Sequence, residues 1–231
     1  NKFENKADVI IWRDAAGAVH GQFGNGTAFP LSWDDSGTTR QVASTACFGD
    51  WREGNGSPRP MESLDIDVGA LTSHPEYPGT STDGAVIYAY SEYEPDGRTA
   101  VIRLENGAEL PGAGLTFATC DPIYIRGDYN NVSGTKPALV AGDAVNILSN
   151  RWSDADSWNR LSSRNAADTE VNSVVMTGNT ETTWGQYNGG LENVLRFLES
   201  WSGRTLQFRG SILCLWESTT ATGPWVYGNN R

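Results

Sequence analysis

Two carboxylates two residues apart raise the question of chemistry. In Met61-Glu-Ser-Leu-Asp-Ile-Asp-Val68, Leu64, Ile66 and Val68 alternate with Ser63, Asp65 and Asp67. That period of two buries one face of a strand and sets Asp65 and Asp67 together on the other. Such a pair could hold calcium or work as an acid and a base, but an ordinary solvated strand face is the preferred reading. Asp154-Ala-Asp156-Ser-Trp158-Asn159 imitates the start of a calcium loop. It lacks the sixth-position glycine and the closing glutamate, so Asp154 and Asp156 read as surface-loop residues. His20 and His74 lie far apart in sequence, neither beside a nucleophile, so no histidine-based catalytic group emerges. No cofactor motif is present. Arg126-Gly-Asp128 matches an adhesion tripeptide, but it ends a strand where Gly127-Asp128 also makes a corner. Asn25-Gly-Thr27, Asn55-Gly-Ser57 and Asn131-Val-Ser133 fit the glycosylation pattern and fit turns as well.

Three cysteines cannot all pair within one chain. Cys214, inside Ser-Ile-Leu-Cys-Leu-Trp, reads as a small buried hydrophobe. Cys47 and Cys120 are then the two available for a disulfide. No cysteine has a second Cys or His at metal-ligand spacing.

These residues must be positioned by strands. At 231 residues the chain can bury a sizeable core, as one large all-β domain or two small ones. A net charge of -11 argues against sequence-independent nucleic-acid binding, which needs clustered cations. No apolar run reaches the roughly 18–20 residues of a membrane helix. The 26 glycines and abundant aromatics favour turns over long helices.

Ala7–Trp12, Met61–Val68, Ala85–Tyr90, Thr99–Leu104, Leu115–Ala118, Ile123–Ile125, Ala138–Val140, Val145–Leu148 and Val171–Met176 are β-prone. So is Thr205–Glu217, with Gly210 as a bend or bulge. Corners such as Pro95-Asp-Gly97, Asp121-Pro122, Gly127-Asp128 and Gly142-Asp143 separate them. The spacing leaves no room for βαβ crossover helices. The reading is a mainly β fold: an irregular right-handed β-helix or solenoid-like stack of short strands, with a β-sandwich as the alternative. Residues 1–60 form a loop-rich, short-strand region packed on a body of 61–231. One helix is expected at 191–201, where Leu191, Val194, Leu195, Leu198 and Trp201 recur at steps of three and four. It would cap the coil.

Taken in order, Arg52-Glu-Gly, Ser63-Leu-Asp-Ile-Asp-Val68, Asn106-Gly-Ala-Glu-Leu-Pro111, Gly114-Leu-Thr-Phe-Ala-Thr119, Pro122 to Asn130, Lys136 to Asn150, Asn188-Gly-Gly-Leu-Glu-Asn193, Arg196-Phe-Leu-Glu-Ser-Trp201 and Arg209 to Trp216 resemble the C-terminal ectodomains of bacterial PilX-type pilus-assembly proteins. The resemblance spans about residues 50 to 227. It implies a non-enzymatic structural or adhesive domain of a type IV pilus or related filament, extracellular or at the cell surface, and periplasmic before assembly. It also implies an ectodomain fragment of a protein with a hydrophobic N-terminal helix. The expected partners are other filament subunits or further copies of the chain. The family brings no established catalytic residues. A glycan-binding or polysaccharide-degrading β-helix, with a surface glycan as partner, is the alternative.

Overall fold

The computed structural model describes residues 2–222 other than 55, 81, 96, 183, 185, 186 and 188. The chain is mainly β. Its strands are β1 (Val9–Arg13), β2 (Val19–Phe23), β3 (Ser32–Asp35), β4 (Thr38–Gln41), β5 (Ala43–Asp50) and β6 (Arg59–Asp67), then helix α1 (Val68–Thr72). After it come β7 (Ala85–Ser91), β8 (Thr99–Glu105), β9 (Leu115–Thr119), β10 (Ile123–Arg126), β11 (Ala138–Ala141) and β12 (Val145–Leu148). The last are β13 (Thr169–Asn172), β14 (Val174–Asn179), β15 (Leu195–Phe197), β16 (Leu206–Arg209) and β17 (Ile212–Glu217).

From β7 to β12 the chain alternates between two sheets. One has the order β17-β14-β11-β9-β7-β1-β2 and the other β15-β12-β10-β8-β6-β5. Within them only β1–β2 and β5–β6 are antiparallel. A third side is formed by β13 and β16, also parallel, and a Tyr129–Val171 bridge carries it one level back. An antiparallel sandwich does not have this connectivity, whereas a chain laid down in successive circuits does.

Because alternate residues of a strand face opposite ways, each short run sends two apolar side chains inward. Leu64 and Ile66, Ile102 and Leu104, Ile123 and Ile125, and Val145 and Ile147 meet Ile11, Ile87, Phe117, Val140 and Val175 from the facing sheet. Each such side chain is worth about 1.5–3 kcal/mol when fully buried. The first end of this core is closed: Phe29, Val42, Val68 and Leu71 are all buried against it. Asp67 starts α1 by accepting a 2.7 Å hydrogen bond from the Ala70 amide, so the strand expected to reach Val68 stops one residue earlier.

Corners are held from one circuit to the next by Asp and Asn side chains. Asn106 donates to Asp67 at 2.7 Å, and Asn150 donates to Asp128 at 2.9 Å. Asn130 donates to the Asn172 carbonyl at 2.8 Å and Asn172 to the Asn130 carbonyl at 3.0 Å. Asn106 and Asn130 have φ of 55° and 58°, a left-handed conformation that asparagine tolerates. Gly210 is required for another reason, since a Cβ there would lie 1.9 Å from the Ser173 carbonyl oxygen.

The helix expected at 191–201 does not form. Residues Gly190–Asn193 make a short 3-10 turn, and Leu195–Phe197 is β15, paired in parallel with β12. Leu195 and Phe197 face the core, while Val194 and Leu198 are buried on the opposite side. Apolar residues buried on both faces of the strand, Val194 and Leu198 on one side and Leu195 on the other, mimic the three- and four-residue spacing of a helix. Phe197 lies off the helical stripe and marks the difference. Trp201 lies past the strand, edge-on to Phe197 at 5.5 Å, so it does not cap the coil as part of a helix.

The corner carboxylates give opposite pH dependences. Asp121 accepts from the Ser91 amide at 2.8 Å, yet burial pushes its carboxyl up to about 6. A raised folded-state pKa means that stability is lost as pH rises from the ordinary 3.8 through about 6. Burial alone would raise Asp143 too, but hydrogen bonds from Ser218, Thr220 and Thr219 hold it below its ordinary value. Its contribution is therefore lost only as pH falls below the usual carboxylate range. Asp121→Asn should be more stable than wild type by about 1–2 kcal/mol above pH 6, with the gap closing towards pH 4. Asp143→Asn should instead be less stable at neutral pH. Urea denaturation across pH checks both.

Candidate functional site

Each strand of the six-stranded sheet from β6 to β15 carries one polar residue between two inward apolar neighbours. These are Asp65, Arg103, Tyr124, Asn146 and Arg196, and strand pairing sets them side by side: Asp65 opposite Arg103, Arg103 opposite Tyr124, Tyr124 opposite Asn146, and Asn146 opposite Arg196. They form a transverse row on the outer face of the sheet. All five are buried, between 1% and 5% exposed.

An outer layer covers the row. Phe48, Met61, Val101, Leu148, Trp152 and Leu198 pack with Tyr124, and the Phe48 ring meets Tyr124 at 5.0 Å and Trp152 at 5.7 Å, both edge-on. Buried polar groups need partners, and most of the row has them. Arg103 binds Asp65 through Nε at 3.0 Å and Nη2 at 2.6 Å, and reaches Asp154 at 2.6 Å. Burial disfavours the charged guanidinium, but its carboxylate partners hold Arg103 above its ordinary value. Burial pushes the Asp65 carboxyl up, opposed by Arg103. The Tyr124 hydroxyl donates to Asp50 at 2.7 Å, and burial raises its pKa well above normal. Arg196 pairs with Glu53 and donates to the Ala221 carbonyl.

Asn146 is the exception. Its amide nitrogen donates to the Ile123 carbonyl at 3.4 Å, while its Oδ1 is buried without a hydrogen-bond partner among the described residues. Beside it opens a cleft of about 180 Å³, lined by Arg59, Glu94, Arg98, Thr99, Tyr124, Arg196 and the chain from Thr219 to Thr222 as well as Asn146. This row and its cleft are the candidate site.

The residues singled out in the sequence do not assemble there as a pair. Asp65 lies in the row, sealed from solvent and bound to Arg103. Asp67 caps α1, so the wetted Asp65–Asp67 face expected from the alternation is absent. Asp154 closes the ion pair with Arg103, and its Oδ1 also accepts from the Trp152 indole at 2.7 Å. Its loop serves as part of the cover over the row. Asp156 is exposed and faces Asn159. Among the described residues no group of three or more His, Cys, Asp or Glu side chains converges on a metal position.

Arg126 donates to Glu105 at 2.7 Å and to the Trp152 carbonyl at 3.1 Å, and Asp128 accepts from the Glu170 amide at 2.8 Å, so the tripeptide serves the corner. His20 lies 2.7 Å from Asp14 and stacks on Trp12, whereas His74 is buried against Phe29. Burial holds His74 below its ordinary value. Asn25 accepts from the Thr27 amide and hydroxyl, which is a turn, and Asn55 lies outside the described residues.

All three cysteines are free thiols. The Cys47–Cys120 disulfide is not formed: Cys47 sits on β5 of one sheet and Cys120 follows β9 of the other. Cys214 is exposed, because β17 is an edge strand.

No family model, curated protein or solved structure matches this chain. No described helix is long and apolar enough to cross a membrane. The polar row went unread in the sequence, although its signal is there: one polar residue centred in each of Leu-Asp-Ile, Ile-Arg-Leu, Ile-Tyr-Ile, Val-Asn-Ile and Leu-Arg-Phe.

Removing one member of a buried ion pair strands the other, so Arg103→Met should destabilise the fold by about 3–5 kcal/mol. Adding Asp65→Leu should recover most of that loss, and chemical denaturation of the single and double variants measures both. Alkylation under denaturing, non-reducing conditions should label all three cysteines, counted by intact mass.

Proposed function

We propose that the protein is a non-enzymatic structural and adhesive domain of a bacterial surface filament, of the type IV pilus class that its ordered motifs resemble, acting outside the cell. One observation carries this reading: the described part of the coil ends on an open rung. Here β15, β16 and β17 are the last strands of their respective sheets, and no described strand pairs with their outer edges. Leu195, Phe197, Leu206 and Phe208 point into the core but are only half-buried, and Ile212, Leu213, Leu215 and Trp216 are 38–58% exposed.

An unpaired edge flanked by apolar side chains is a template for another chain. Since the first end is closed by Phe29, Val42 and Leu71, association falls to this last rung, through a second copy or another filament subunit. Asp65, offered by the sequence as one of an acid and base pair, supports the same reading, because it is committed to Arg103 in the scaffold.

Sedimentation velocity over a concentration series should show wild-type self-association, or co-sedimentation with purified pilus subunits. Leu213→Lys with Leu215→Lys should abolish it and leave the melting temperature within a few degrees. A wild-type chain that remains monomeric at all concentrations and binds no pilus subunit contradicts the reading.

A further inference from the structure

We infer that the cleft beside Asn146 is a binding site for a single saccharide ring, independent of the open rung. Its floor holds two buried groups whose oxygens lack a hydrogen-bond partner among the described residues: Asn146 Oδ1, on a residue 1% exposed, and Thr99 Oγ1, on a residue 8% exposed. A buried polar atom left unpaired is costly, and the Asn146 oxygen can only accept, so this small cavity calls for a partner that supplies a hydrogen there and can bond the Thr99 hydroxyl as well. An apolar ligand would leave both unmet, and a fully ionised anion has no hydrogen to give to an amide oxygen.

The walls narrow the choice further. Arg196 is paired with Glu53, and Arg98 shares Glu62 with Arg13, so part of the positive charge the arginines would otherwise present is offset. At the mouth, Arg59 and Glu94 are exposed and have no side-chain hydrogen bond or ion pair among the described residues. One is a free donor and the other a free acceptor. The cleft thus offers an amide acceptor and a hydroxyl at the floor and both kinds of group at the rim, around a space of about 180 Å³. Hydroxyls on a ring match that set, since each donates and accepts, and the ring needs no net charge.

The test is titration of the full chain with free galactose, N-acetylglucosamine and glucuronic acid, followed by NMR shifts of the Asn146 side-chain amide and the Arg59 Nε–H. Saturable shifts at these groups with a neutral sugar are expected. Thr99→Val, which keeps the shape of the side chain, should weaken that binding about tenfold without lowering the melting temperature. Arg59→Ala, at the exposed rim, should weaken it while leaving sedimentation unchanged. The proposal is overturned if no neutral sugar gives a saturable shift, if only glucuronic acid does, or if the shifts map elsewhere. It is also overturned if neither variant changes the affinity.

Discussion

Parallel pairing on both edges is the constraint from which the remainder of this structure follows. A strand of four residues between two neighbours satisfies its backbone only if the next circuit brings its own strand to the same register. Each run therefore repeats the same pattern, two apolar side chains inward around one residue facing out. The outward position is not free to be solvated, because Trp152, Phe48 and their neighbours lie over it. A charge that sits there must be partnered, which is why Asp65, Arg103 and Asp154 occur as a set, and only the neutral Asn146 keeps an oxygen in the row unpaired among the described residues. The ionic row is a consequence of stacking the circuits and then covering one face of the stack.

The same constraint explains the two ends. At the beginning, antiparallel β2 and β5 and the short helix α1 depart from the stacking pattern, and Phe29, Val42 and Leu71 fill the core beneath them. At the other end the pattern simply continues to its last circuit. Leu206, Phe208 and Ile212 occupy the positions that Thr169, Val171 and Val175 occupy one circuit earlier, with nothing described beyond them. An end of this kind favours growth by addition, and the proposed role in a filament draws on that asymmetry.

Much of this was legible in the sequence. Strands β7 through β12 fall where the β-prone runs and their Gly, Pro and Asp corners place them, since short two-faced strands and tight turns leave strong local signals. Asp121, Asp128 and Asp143 were legible as corner residues rather than as acids for chemistry, and their hydrogen bonds place them there. What failed were inferences that needed tertiary context. Leu195–Phe197 reads as helix until β12 lies beside it, and Asp65 reads as wetted until the loop bearing Asp154 folds across. Cys214 reads as core until its strand proves to be the outermost. The cleft at Asn146 combines residues from six separate segments, and no local pattern announces it.

The account turns on the last rung being an open edge that another chain completes. Hydrogen–deuterium exchange on the full chain, compared between dilute and concentrated solution, measures this at the residues concerned. The account predicts that those amides of Ile212–Glu217 not bonded to β14 exchange rapidly when dilute and become protected on concentration, while those of β8 and β10 stay slow throughout. Protection of these Ile212–Glu217 amides that is already complete in the dilute monomer, or that does not change with concentration or on adding pilus subunits, would contradict it.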